Sequence, residues 1–111
     1  MINIERRDKI EIISFPSGKI NALVTDEMRD DITKVLEGGN SRVIIDLKGV
    51  QYIDSSGFGC LLSLLKIARN NYGTLKFANP EPPVRNALNT LNLQTVLDIY
   101  DDINTCIRAL R

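Results

Sequence analysis

The sequence predicts an α/β fold: a mixed, mostly parallel five-stranded sheet with four helices mainly on one face, in the order ββαβαβαβα. Three observations carry that expectation. Short runs rich in Val, Ile and Phe alternate with longer stretches whose apolar residues recur at helical spacing. Glycine, proline or asparagine punctuates almost every change of pattern. The strand candidates at 42–48 and 74–78 carry polar groups on one side, whereas a sheet covered by helices on both faces reads as continuously apolar.

The elements follow in order. Residues 2–7 and 10–15 are two extended runs parted by Asp8-Lys9, a hairpin signal, so the first strand is expected as an antiparallel edge. Pro16-Ser17-Gly18 breaks the second run, and Lys19-Ile20-Asn21 resumes it briefly. Thr25 offers an N-cap for the first helix, with Asp26 and Glu27 where carboxylates suit the helix dipole. Met28, Ile32, Val35 and Leu36 form its apolar stripe, and Gly38-Gly39 end it; Ala22-Leu23-Val24, unusually apolar for an exposed turn, are expected to anchor it to the core, with a part in an interface as the alternative. After the strand at 42–48, a second helix carries Leu61, Leu62, Leu64, Leu65, Ile67 and Ala68 as far as about residue 70 and closes at Asn71-Tyr72-Gly73. A strand at 74–78 leads to a proline-rich turn that can open a helix. Val84, Ala87, Leu88 and Leu91 are the stripe of that third helix, and Asn92 suits a left-handed cap. A last strand at 96–100 precedes a helix capped by Asp101 or Asp102, with Ile103, Ile107 and Leu110 facing inward.

Composition narrows the function. The chain's 111 residues suit one small domain, 1–111. Lys plus Arg equals Asp plus Glu at 14 each, which argues against direct nucleic-acid binding. No apolar run approaches a membrane span and no leader opens the chain, so a cytoplasmic protein without a membrane partner is expected. Cys60 and Cys106 lack CxxC spacing and read as reduced core residues. Histidine is absent, which removes a Ser-His triad, a His-bearing zinc site and a histidine pH switch. No metal, cofactor or enzymatic activity is expected. Charges at Glu5, Arg6 and Arg7 disfavour edge pairing, so the free protein is expected to be a monomer.

The most informative stretch is Val50-Gln51-Tyr52-Ile53-Asp54-Ser55-Ser56-Gly57-Phe58-Gly59, where a strand hands over to the second helix. A structural explanation exists: Asp54, Ser55 or Ser56 can cap the helix, while Gly57 and Gly59 permit a tight turn. Yet a cap needs one side chain, and three stand in a row. Phe58 can fill the core or stand beside the serines. A nucleotide phosphate loop would need a lysine that this turn lacks. A nucleophile elbow would need Gly-x-Ser-x-Gly and a base. A phosphorylated serine at a helix N-terminus fits better, because the amides and dipole stabilise the phosphate while its charge disturbs a docked partner.

The run Val43-Ile44-Ile45-Asp46-Leu47, with Val50, Ile53-Asp54-Ser55-Ser56-Gly57-Phe58-Gly59 and Leu62, resembles the signature of STAS domains, specifically bacterial anti-sigma factor antagonists. Gly18-Lys19-Ile20-Asn21 is similar to that family's Gly-x-Leu-Asp, and Leu75 to Asn79 and Leu91-Asn92-Leu93 fall where later motifs lie. The resemblance implies a non-enzymatic partner switch. The unmodified protein would bind an anti-sigma factor with serine kinase activity and free a sigma factor. Phosphorylation would release it, and a serine phosphatase would reset it. Carried over, the phosphoacceptor is Ser55, with Ser56 as the alternative. The partner surface would comprise Asn21, Asp54, Ser55, Ser56, Gly57 and Phe58. Asn21 departs from the family's aspartate, which would alter an electrostatic contact. A constitutive STAS subunit of a larger complex, such as a lipid-transport ATPase or a stress-signalling assembly, is the competing reading.

Overall fold

In a computed structural model of the protein, which describes residues 2–39 and 41–111, the chain opens with a hairpin of β1 (Asn3–Arg7) and β2 (Ile10–Ser14). Asp8 and Lys9 form its two-residue turn with φ of 55° and 65°, the left-handed pair that matches strand twist. Arg111 pairs with the Asp8 carboxylate at 2.5 Å, tying the far end of the chain to this turn.

The later strands are β3 (Lys19–Ile20), β4 (Arg42–Asp46), β5 (Tyr52–Ile53), β6 (Thr74–Ala78) and β7 (Ile99–Tyr100). The helices are α1 (Ala22–Leu36), α2 (Ser55–Asn70), α3 (Pro82–Thr90) and α4 (Ile103–Leu110). Five strands make the main sheet in the order β1-β2-β4-β6-β7, and only the β1–β2 pair is antiparallel. The expected mixed sheet with an antiparallel edge is therefore present. β3 and β5 stand apart as a two-stranded parallel ladder.

Side-chain alternation divides the core between the two faces of the sheet. Ile13, Val43, Ile45, Leu75 and Phe77 pack with α1, α2 and α3 through Met28, Ile32, Leu61, Leu64, Val84 and Leu88. Ile10, Ile12, Ile44 and Ala78 face the other way, against Cys106, Ile107 and Leu110 of α4. Helices thus lie mainly on one face, with α4 alone across the sheet among the described residues. Lys76 stands on the α4 side, where it pairs with Asp98 and its ammonium lies 5.2 Å from the Tyr100 ring centre.

Three local expectations change. α1 begins four residues earlier than expected: its N-cap is Asn21, while Thr25 is buried inside the helix with its hydroxyl bonded to the Ala22 carbonyl. Ala22 and Leu23 consequently lie on the outside of the first turn, and only Val24 packs on the core. The final strand shrinks to Ile99–Tyr100 because Leu93–Thr95 winds into a 3-10 turn, whose Leu93 carbonyl takes the amides of Val96 and Leu97. Asn92, as expected, is left-handed at φ 58°, and Asp102 rather than Asp101 caps α4.

Candidate functional site

Two strand-to-helix junctions stand side by side because β3 and β5 run parallel, with Lys19 opposite Tyr52 and Ile20 opposite Ile53. Each strand delivers an extended N-cap residue next in sequence: Asn21 for α1 and Asp54 for α2. The Asp54 amide donates to the Ile20 carbonyl at 3.1 Å, stitching the two caps together. Upstream, the amides of Gln51 and Tyr52 both donate to the Gly18 carbonyl.

Asp54 is the cap that the acid-and-hydroxyl run provides. Its Oδ1 accepts the Gly57 amide at 2.8 Å and the Ser56 hydroxyl at 2.6 Å. Those two hydrogen bonds, the Ser56 hydroxyl foremost, hold the Asp54 carboxyl below its usual range, with a smaller contribution from the Ala22 amide. This last contact links the carboxylate to the first turn of α1. Asn21 caps its own helix by accepting the Leu23 amide at 3.0 Å.

The two serines are not equivalent. Ser56 is exposed but its hydroxyl is committed to Asp54. Ser55 is exposed at the first helical position, and among the described residues its hydroxyl has no hydrogen-bond partner. Gly57 is a packing requirement: an added Cβ would lie 2.6 Å from Ile53 Cγ2 and 2.7 Å from the Ile20 carbonyl oxygen. Gly59 differs, since a Cβ there would meet nothing within 4 Å, so it is not needed to tighten the turn. Phe58 is in the core cluster at 8% exposure, which corrects its placement on the partner surface. It supports the turn from behind.

Two exposed apolar residues, Leu23 and Tyr52, belong to the same pair of junctions as the serines. Leu23 is 91% exposed and Tyr52 is 55% exposed. The exposure of Leu23 reverses the expectation that it anchors α1 and leaves the interface alternative standing. Glu81 was missed: its carboxylate accepts the Gly49 amide at 2.6 Å, bracing the loop that leads into β5. Nearby, Asp46 accepts both the Lys48 amide and the Asn79 side-chain amide at 3.0 Å. Nothing local in the sequence signals the Glu81 contact, which spans 32 positions.

The chemistry available at the junction is that of a hydroxyl acceptor. Both cysteines are buried, and burial raises the Cys60 thiol and pushes Cys106 up to about 11, so both are poor nucleophiles. Among the described residues no group of three metal-ligating side chains gathers, and no helix is long and apolar enough to cross a membrane.

Comparison with known proteins bears on the family and the fold. The anti-sigma F factor antagonist of Paenibacillus polymyxa is 26% identical over 87 residues, 78% of this chain and 74% of that protein. The structure of an anti-sigma-factor antagonist (STAS) domain protein from Planctomyces limnophilus superposes with a TM-score of 0.87 at 20% identity, covering 97% of this chain and 96% of that one. The Bacillus cell fate determinant SpoIIAA in its phosphorylated form superposes with a TM-score of 0.74 at 18% identity, covering 100% of each chain. Residues 1–106 match the STAS domain, and the chain belongs to that family.

Proposed function

We propose that this protein is an anti-sigma factor antagonist that switches partners through phosphorylation of Ser55. Unmodified, it binds an anti-sigma factor with serine kinase activity and thereby frees a sigma factor. The kinase then transfers the γ-phosphoryl group of ATP to Ser55 Oγ. The new O–P bond replaces the bond to ADP, and the hydroxyl proton leaves to a base on the kinase or to solvent. A serine phosphatase returns the protein to its binding form. The protein itself catalyses nothing in this cycle.

One observation carries the choice of residue: the Ser55 hydroxyl is exposed and unengaged, whereas that of Ser56 is bonded to Asp54. Modifying Ser56 would break a contact of the α2 cap. Modifying Ser55 leaves the cap whole and places a charge of about −1.5 to −2 on the surface. The start of α2 tolerates that charge because the helix dipole is positive there. A partner seated over Ser55 and the neighbouring Leu23 meets both the bulk of the phosphate and the cost of desolvating it. The chain's kinship with an anti-sigma F factor antagonist supports the choice of partner.

Incubation with the cognate kinase and ATP, followed by mass-spectrometric mapping, tests the assignment. Phosphate is expected on Ser55 and not on Ser55→Ala. Phosphate found only outside Ser55 and Ser56 would overturn it.

A further inference from the structure

A cleft lies at the other end of α1 from the serine junction. That helix has 15 residues, so its ends are about 22 Å apart, and Asn21 with the Ser55 turn is at the N-terminal end. Beside its C-terminal end is a cleft of about 620 Å³ whose wall includes Arg6 of β1, Lys9 of the hairpin turn, Glu11 of β2, Val35 of α1, Ser41 and Arg42 of β4.

The charges there do not cancel. Arg6 is matched by Glu11 at 3.0 Å. Among the described residues, neither Lys9 nor Arg42 has a carboxylate partner. Two positive charges are therefore left over at one point of a chain whose net charge is zero. The negative end of the α1 dipole attracts cations and works against an anion, but capping donors answer part of it. The Val35 carbonyl takes the Gly38 amide and the Ser41 hydroxyl, and the Leu36 carbonyl takes the Gly39 amide. Lys9 sits in the hairpin turn at φ 65°, a position that suits glycine, so its side chain can be removed without disturbing the turn.

We infer that this cleft binds a small phosphate-bearing anion, with Arg42 and Lys9 on the phosphate and Val35 against the uncharged body. A phosphomonoester carries a charge near −2 at neutral pH, which matches the two unpaired cations. Guanidinium and phosphate also pair in a two-pronged geometry. The volume lies in the range of small-molecule sites, roughly 300–1,000 Å³. A nucleic acid or an acidic protein would require a longer basic track than this one concavity. The inference does not depend on phosphorylation of Ser55.

The test is an amide-shift titration by NMR at low salt with three probes: inorganic phosphate, adenosine 5′-monophosphate and a glutamate-rich peptide. Saturable shifts confined to the amides of Arg6, Lys9, Ser41 and Arg42, with a dissociation constant of about 1 mM or tighter, are expected from adenosine 5′-monophosphate. Comparable binding of inorganic phosphate would assign the affinity to the phosphate alone; weaker binding would assign part of it to the organic body. Arg42→Gln and Lys9→Gly are each expected to weaken binding about tenfold or more. Lys9→Gly also relieves the turn, so its loss of binding cannot be blamed on unfolding. Absence of saturation by about 10 mM ligand, shifts scattered over other surface cations, binding unchanged in both variants, or a response to the peptide alone would each overturn the inference.

Discussion

The two junctions that meet at the β3–β5 ladder share a plan and differ in content. Each has a two-residue strand, an extended cap residue and a helix whose first two residues are exposed. The first is capped by a neutral amide and displays Ala22 and Leu23; the second is capped by a carboxylate and displays Ser55 and Ser56. An apolar side chain at one junction can hold a partner but cannot be modified. A free hydroxyl at the other contributes little affinity but can acquire charge. Placing the two together allows grip and control to be adjusted separately.

The largest expected effect tests whether the ladder holds the second junction by close approach. Gly57→Ala would drive a Cβ into Ile53 and the Ile20 carbonyl, and is expected to destabilise the protein by about 2 kcal/mol in urea unfolding. A loss under roughly 0.5 kcal/mol would mean that the helix is not held tightly on β3 and β5. Next, Leu23→Ser should weaken partner binding about tenfold while leaving stability within about 0.5 kcal/mol, because the side chain touches little of its own protein. Unchanged affinity would remove the first junction from the interface. Gly59→Ala comes third, with an expected gain of about 0.5–1 kcal/mol, since a helical glycine with open space around it has no packing duty. A loss there would show that Gly59, like Gly57, serves a close contact.

The smallest effect concerns the charge that separates the caps. The Asp54 carboxyl is held below its usual range in the folded state, so its contribution is complete above the unfolded value of about 3.9. That contribution fades as pH falls through the folded value. Asp54→Asn retains a capping side chain, so the wild type should lose more stability than this variant on acidification below about pH 4. Parallel pH profiles would place the acid sensitivity elsewhere.

Much of this arrangement was legible in the residues themselves. Asp8-Lys9 marked the hairpin, Asn92 a left-handed cap, and the acid-and-hydroxyl run the start of α2. What escaped was set by contacts distant in sequence. Thr25 has the chemistry of an N-cap, but the pairing of Ile20 with Ile53 fixes the chain so that Asn21 meets the helix first. The triplet Ala22-Leu23-Val24 looked like an anchor because apolar residues usually are; a helix beginning at Ala22 instead turns Leu23 outward. Two-residue strands such as β5 carry too little pattern to read, and the Glu81 contact with Gly49 has no local signature. α4 lies across the sheet to cover Ile10, Ile12 and Ile44, while Ile13, Val43 and Ile45 face the other helices, so β2 and β4 are apolar on both sides. The polar residues on one side of 42–48 and 74–78 masked that second apolar face.

The central claim is that chemistry at Ser55 controls binding at both junctions. Calorimetric titration of the anti-sigma partner into the unmodified protein, the Ser55-phosphorylated protein and Ser55→Ala tests it most directly. The account predicts that phosphorylation weakens binding by about tenfold or more, while Ser55→Ala binds like the unmodified protein. Equal affinity for the phosphorylated and unmodified forms would contradict it.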